Sequence, residues 1–251
     1  MSTPFSTIST IASAEARRIF VSPLAWAVLA VMQLIFGFVF INMLVDYARN
    51  ASMSGQFMGV ADYIGGGLYG FATIILLLVM PLLTMRMFSE ERKSGTLTLL
   101  LSSPASLIEI VLGKFFGLFA FMLATIALLG LMPLTLLSGT HLDIGRIAAG
   151  LLGLLLMMMS FGAAGLFVST LTKEPTIAAV GGFGLLLAVW LIQIVGNQPV
   201  PFAAFFSYLS LIGHFESLRR GIFNSADVIY YLLFTAFFLW LAVLRLDMER
   251  N

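Results

Sequence analysis

The chain has 251 residues, 60% of them apolar and only 10% charged, with a net charge of +1 and a mean hydropathy of +1.05. Soluble domains carry about 25% charged residues, and so few charges cannot cover a water-facing surface on a chain of this length. A soluble globular protein and a disordered chain are both excluded, and a net charge near zero offers no basic face to nucleic acid. An integral membrane protein is left, with the lipid bilayer as its solvent and no nucleic-acid partner. The absence of cysteine removes disulfides, thiolate metal sites and thiol nucleophiles together.

The first residues are Ser/Thr-rich, carry Glu15, Arg17 and Arg18, and lack an apolar h-region, so no cleavable signal is expected. Phe5, Ile8, Ile11, Ala12, Ile19 and Phe20 fall on one helical face, opposite Thr7, Ser9, Thr10, Arg17 and Arg18. This predicts an amphipathic helix over residues 1–23 lying in the membrane interface, with Pro23 marking the turn into the first span. A membrane-crossing helix needs about 20 apolar residues. Six stretches qualify: Leu24–Val45, Gly67–Met85, Leu107–Leu137, Ile147–Leu171, Ile177–Gly196 and Val228–Leu244. Residues 24–251 therefore read as one all-α, six-span domain. The third stretch is overlong, and Pro133 predicts a kink or an end there.

Lys and Arg concentrate in cytoplasmic segments. With the N-terminus inside, nine of the 13 basic residues are inside (Arg17, Arg18, Arg86, Arg92, Lys93, Lys114, Lys173, Arg245, Arg250) and four outside (Arg49, Arg146, Arg219, Arg220). Both termini are thus expected in the cytoplasm. All six tyrosines (Tyr47, Tyr63, Tyr69, Tyr208, Tyr230, Tyr231) fall at predicted outer ends, where a wet hydroxyl and a buried ring suit the interface. Gly66/Gly70, Ser160/Ala164 and Ala178/Gly182 have the spacing that lets helices approach closely, within the subunit or in a dimer. No ionisable residue sits in the middle of a span; Glu109 and Lys114 lie near one end of the third. Proton-coupled carriers and voltage sensors need such groups. The neutral polar residues Gln33, Asn42, Thr73, Thr125, Ser160 and Gln193 remain, of which Gln33, Asn42 and Gln193 are candidates to line a pathway. HExxH, GxSxG and in-span aspartate pairs are missing, so no catalytic residue and no metal ligand is assigned. Any driving energy must enter from another subunit.

Such energy should enter from the cytoplasm, which directs attention to the inner loops, first the one between the second and third spans (86–106). Glu90, Glu91, Arg92 and Lys93 are expected to extend the second helix beyond the bilayer. Gly95 permits a reversal, Thr96 is placed to cap a short helix, and Pro104 follows its end. Leu97, Leu100 and Leu101 share one face of that helix. The stripe fits a groove on a partner protein or the membrane interface. The run from Glu91 through Gly95, Thr96 and Leu97, then Leu99 to Leu101 and Pro104, with Gly113 and Lys114 opening the next span, resembles the coupling-loop signature of ABC-2-type exporter permeases (type V exporter-like). Thr98 departs from it, standing where relatives usually carry an acidic residue. The resemblance extends over the whole chain, and the N-terminal amphipathic helix corresponds to the family's elbow helix.

The outer segment 197–227 holds an apolar Phe202–Phe215 stretch too short to cross, preceded by a break at Asn197–Pro201. A pair of short helices dipping into the outer leaflet is expected. His214, Glu216, Arg219 and Arg220, together with Tyr208, form a candidate outer gate. Arg219 and Arg220 are placed to pair with Glu216 and Asp227, while His214 and Glu216, two apart, do not share a helix face. The string from His214 to Gly221, with Asp227 to Tyr231, resembles the gliding-motility-type branch of these permeases and, more loosely, the nitrous-oxide-reductase-maturation branch.

No GxxxxGK[ST] phosphate loop is present. The resemblance implies a separate nucleotide-binding subunit holding ATP and Mg, no cofactor in this chain, and a second permease subunit, identical or similar. An envelope accessory protein and a bacterial cytoplasmic membrane location follow by resemblance as well. The expected function is the permease subunit of an ABC exporter. An ATP-driven anchor that moves a partner rather than a solute is a second reading, and an ATPase-independent channel or intramembrane enzyme a third.

Overall fold

A computed structural model describes residues 4–54, 59–138, 143–196, 198 and 203–250. Among these, eleven α-helices and one short 3-10 turn (Thr135–Ser138) account for all regular structure, and six helices are long and apolar enough to cross a membrane. In chain order they are α1 (Pro4–Val21), α2 (Pro23–Ser54), α3 (Val60–Thr84), α4 (Ser89–Ser94), α5 (Thr96–Leu101), α6 (Leu107–Leu134), α7 (Ile144–Ser169), α8 (Pro175–Gly196), α9 (Ala203–Leu209), α10 (Leu211–Arg219) and α11 (Ser225–Arg250). The break foreseen at Asn197–Pro201 lies largely outside the described residues.

The third span ends where its proline implied: Pro133 is the penultimate residue of α6. The start of α6 is set by a capping box, in which the Ser106 hydroxyl accepts from the Glu109 N–H and the Glu109 carboxylate accepts from the Ser106 N–H. The Asp143 carboxylate caps α7 by accepting from the Arg146 N–H.

The most buried span is α7, which packs against α3, α6, α8, α10 and α11. Leu154, Met157, Met158, Phe161 and Leu166 on α7 meet Leu76 and Met80 of α3, Leu118 and Met122 of α6 and Tyr231 of α11 in a single core. Peripheral α2 and α8 point Val31, Leu34, Phe38, Ile41, Ile177, Val180 and Ile194 outward, where acyl chains rather than water are the neighbours. Of the small-residue pairs, Ser160 bonds across to α11 (Thr235 Oγ1 at 3.3 Å, Tyr231 O at 3.4 Å) and Gly182 faces Pro81 of α3. Gly66 and Gly70 instead seat the Arg219 guanidinium.

Two expectations need correction, and the seat of the N-terminal helix is new. The second helix does not run on through Glu90–Lys93: the backbone turns at Met85–Phe88 before α4 begins. Met87, Phe88 and Ser89, in and just after this turn, are all buried. The N-terminal helix α1 packs closely along α6. Ile8, Ile11, Ala12, Ile19 and Phe20 face inward as expected, but Phe5 is 85% exposed. The tyrosines do not all sit with wet hydroxyls. Tyr69 and Tyr231 lie in the core, Tyr231 donating to Leu211 O and the Tyr69 hydroxyl finding no partner among the described residues.

Candidate functional site

The α4–α5 hairpin stands at the end of the bundle that also carries α1. Gly95 closes α4 at φ +75°, the left-handed conformation that glycine adopts at no steric cost. Gly95 itself also occupies the position before α5. Thr96 does not cap that helix, as was expected, but is its first residue; its hydroxyl donates back to Glu91 O and lies 2.8 Å from the Ser94 hydroxyl.

Leu97, Leu100 and Leu101 do share a face, but that face turns into the bundle. Leu97 is 4% exposed, Leu100 and Leu101 are half-buried against the core, and Leu99 is 72% exposed. The stripe foreseen for a partner's groove or the membrane interface is thus the hairpin's own attachment. The groups left free to meet another surface are Thr96, Thr98, Leu99 and Ser102, with Pro104 exposed beyond them. A shallow groove of about 250 Å³ runs from Thr98 and Ser102 to Glu249 and Arg250 at the end of α11.

The charges of α4 are also used internally. Glu91 accepts from Lys114 Nζ of α6 at 2.6 Å, and Lys114 reaches Glu15 of α1 at 3.3 Å. Arg18 closes the cluster on Glu15 at 2.7 Å, and the Lys114 ammonium lies 5.1 Å from the Phe88 ring centroid. Arg92 pairs with Glu249 of α11, and Lys93 with Glu174 before α8 at 2.9 Å. Three consecutive residues therefore tie α4 to α6 and α1, to α11, and to the approach to α8. Glu91 and Arg92, read from sequence as contacts for another protein, are largely spent inside this one. Once Lys114 is buried it needs opposite charge beside it, and Glu91 supplies it. The Lys114–Glu15 partnership was not foreseen, since pairs 99 residues apart leave no local pattern. The close seat of α1 was legible: Gly113 and Gly117 are four apart, and a Cβ on them would lie 2.6 Å from Ile11 Cβ and 2.5 Å from Glu15 Cβ.

At the opposite end, α9 and α10 form the expected pair of short helices. His214 Nδ1 lies 2.7 Å from Asp227 Oδ1 and Nε2 lies 2.8 Å from Tyr208 O. Since a carbonyl oxygen only accepts, Nε2 is the donor to Tyr208, and Nδ1 faces the Asp227 carboxyl. Tyr230 stacks on the imidazole at 4.1 Å. Asp227 thus pairs with His214 rather than with an arginine, a correction to the sequence reading. Both arginines go to Glu216: Arg219 forks onto it at 2.9 and 2.6 Å, and Arg220 Nε donates at 2.8 Å. The Arg219 hydrogen bonds hold the Glu216 carboxyl below the usual carboxylate range; partial burial opposes this and Arg220 adds to it. Arg219 also donates to Gly66 O, fastening α10 to α3.

The three pathway candidates are not brought together. Gln33 donates to Leu128 O of α6 at 3.5 Å, Asn42 to Phe38 O of its own helix, and Gln193 accepts from Ser210 below α10. Among the described residues no three His, Asp or Glu side chains gather as a metal site.

Among the described residues, six helices long and apolar enough to cross a membrane mark a multi-pass membrane protein. The chain matches the model for the ABC-2 family transporter proteins over residues 9–247. It belongs to that family, a membrane component of ABC transporters. No curated protein matches it.

Proposed function

We propose that the chain is the permease subunit of an ABC exporter in a bacterial cytoplasmic membrane. Both termini and the α4–α5 hairpin face the cytoplasm, the elbow role falls to α1 and the coupling role to α5. A separate nucleotide-binding subunit holds ATP and Mg and docks against Thr96, Thr98, Leu99 and Ser102. A second permease, identical or similar, completes the path. Within the family we place the chain nearest the gliding-motility-type branch, on the string from His214 to Gly221, with an envelope accessory protein as a further partner.

One observation carries this reading: Glu91, Arg92 and Lys93 clamp α4 to α6 and α1, to α11 and to the approach to α8. A push on α5 through the Gly95 reversal is therefore delivered to several spans at once, as a coupling element requires. The test is co-purification, in mild detergent, of a subunit that hydrolyses ATP. Leu99→Asp is expected to abolish it while the variant still elutes as the parent does, because Leu99 is exposed and a carboxylate desolvated in the partner's groove is costly. Retention of the ATPase by Leu99→Asp defeats the docking assignment.

A second reading, an ATP-driven lever that moves a partner rather than a solute, draws support from Gln33, Asn42 and Gln193. Each is spent on a structural hydrogen bond within the chain.

A further inference from the structure

Two voids meet at the α1 end of the bundle. A cavity of about 320 Å³ opens between the end of α1, the start of α2 and the α3–α4 turn; Arg18, Ser22, Leu24, Arg86 and Glu90 are among its lining. From it an apolar groove of about 340 Å³ continues between α2 and α3, past Ala27, Val31, Ile35, Ile75 and Leu78. Leu82 lines both, so the groove begins beside the cavity. From Leu24 to Ile35 the helix rises about 16 Å, close to the ~15 Å that one leaflet contributes to the hydrocarbon core.

The charges at the mouth are not paired with one another. Arg18 is committed to Glu15 at 2.7 Å. Arg86 and Glu90 are exposed, line the same cavity, and have no ion-pair partner among the described residues. A purely anionic headgroup would pair with Arg86 and leave Glu90 unanswered. Choline has no N–H to donate to Glu90. A second protein copy laid along the apolar groove would leave the Arg86–Glu90 mouth unfilled. A phosphodiester joined to a primary ammonium answers both charges.

We propose that this site binds a single phospholipid of the ethanolamine type, its phosphate on Arg86 with Arg18 behind, its ammonium on Glu90, and one acyl chain along the α2–α3 groove. The lipid bridges α1, α2 and α3. Nothing in this assignment depends on the docking of an ATPase.

Native mass spectrometry of the purified full chain tests it, with phosphatidylethanolamine, phosphatidylglycerol and phosphatidylcholine of identical acyl chains as probes and inorganic phosphate as a fourth. One phosphatidylethanolamine per chain is expected to be retained in preference to the other three. Glu90→Gln is expected to lower its preference over phosphatidylglycerol about fivefold, the worth of one interfacial charge. Arg86→Gln is expected to reduce retention of all three lipids. Ala27→Phe fills the groove without touching the mouth and reduces them likewise. Glu90 and Ala27 are exposed, so those two variants report on the site even if Arg86→Gln assembles poorly. Equal retention of the three lipids, an unchanged preference in Glu90→Gln, or phosphate held as firmly as lipid with Ala27→Phe neutral, each overturns the proposal.

Discussion

Lys114 lies near one end of a membrane span and is 2% exposed. An ammonium there survives only with opposite charge at hand, and Glu15 and Glu91 supply it from two other helices. Lys114→Met leaves two carboxylates crowded without their cation. It is expected to cost about 3 kcal/mol of stability, read as a lower midpoint in SDS unfolding. At the other end, the Glu216 carboxyl is held below its ordinary range by Arg219 first. A depressed carboxylate contributes stability that is complete above the unfolded value and lost as pH falls through the folded one. Thermal unfolding in detergent is thus expected to show the parent losing more stability than Glu216→Gln between neutral and strongly acid pH. Parallel losses in the two proteins would show that the Arg219 fork contributes nothing. The half-exposed setting of Glu216 keeps the difference small.

Helix α1 is held by close approach rather than by a large apolar stripe. The backbone carbonyl of Ala12 and the stem of Glu15 lie where a Cβ on Gly117 would stand. Gly117→Leu is expected to lever α1 off α6, since overpacking of this kind costs about 1–3 kcal/mol. The chain has no cysteine, so Ala12→Cys gives a single reporter. Its labelling by a maleimide should rise sharply in the Gly117→Leu background and stay low without it. The α4–α5 hairpin follows the opposite logic: its leucines anchor it inward, and its polar face and Leu99 are left outward. A charge run read along the sequence looks like a solvated face. On α4 it became a set of fasteners because the helices around it bring Lys114, Glu249 and Glu174 within reach.

Across the whole molecule, α7 forms the rigid centre, and the two ends are organised differently. One end is tied by ion pairs through α4, the other by the His214–Asp227 and Glu216–arginine contacts of α10. If α4 transmits ATP-driven motion, cutting one fastener isolates one span. Arg92→Leu is expected to keep its bound ATPase but to lose the ATP-dependent change in labelling of a Met248→Cys reporter on α11. A full response from Arg92→Leu would show that α11 is driven by another route.

The number of spans, the end of the third at Pro133, the reversal at Gly95 and the paired short helices before the last span were all legible in the sequence. Each rests on a local cause: a run of apolar residues, a missing N–H, a permitted positive φ. The capping box at Ser106 and Glu109 and the glycine pair at Gly113 and Gly117 were equally local signals, although neither was read. Which way the Leu97–Leu101 face turns, and which carboxylates neutralise Lys114, were decided only by tertiary structure. Periodicity shows that residues share a face but not what the face meets, and an ion pair between helices depends on how they pack, not on their spacing along the chain.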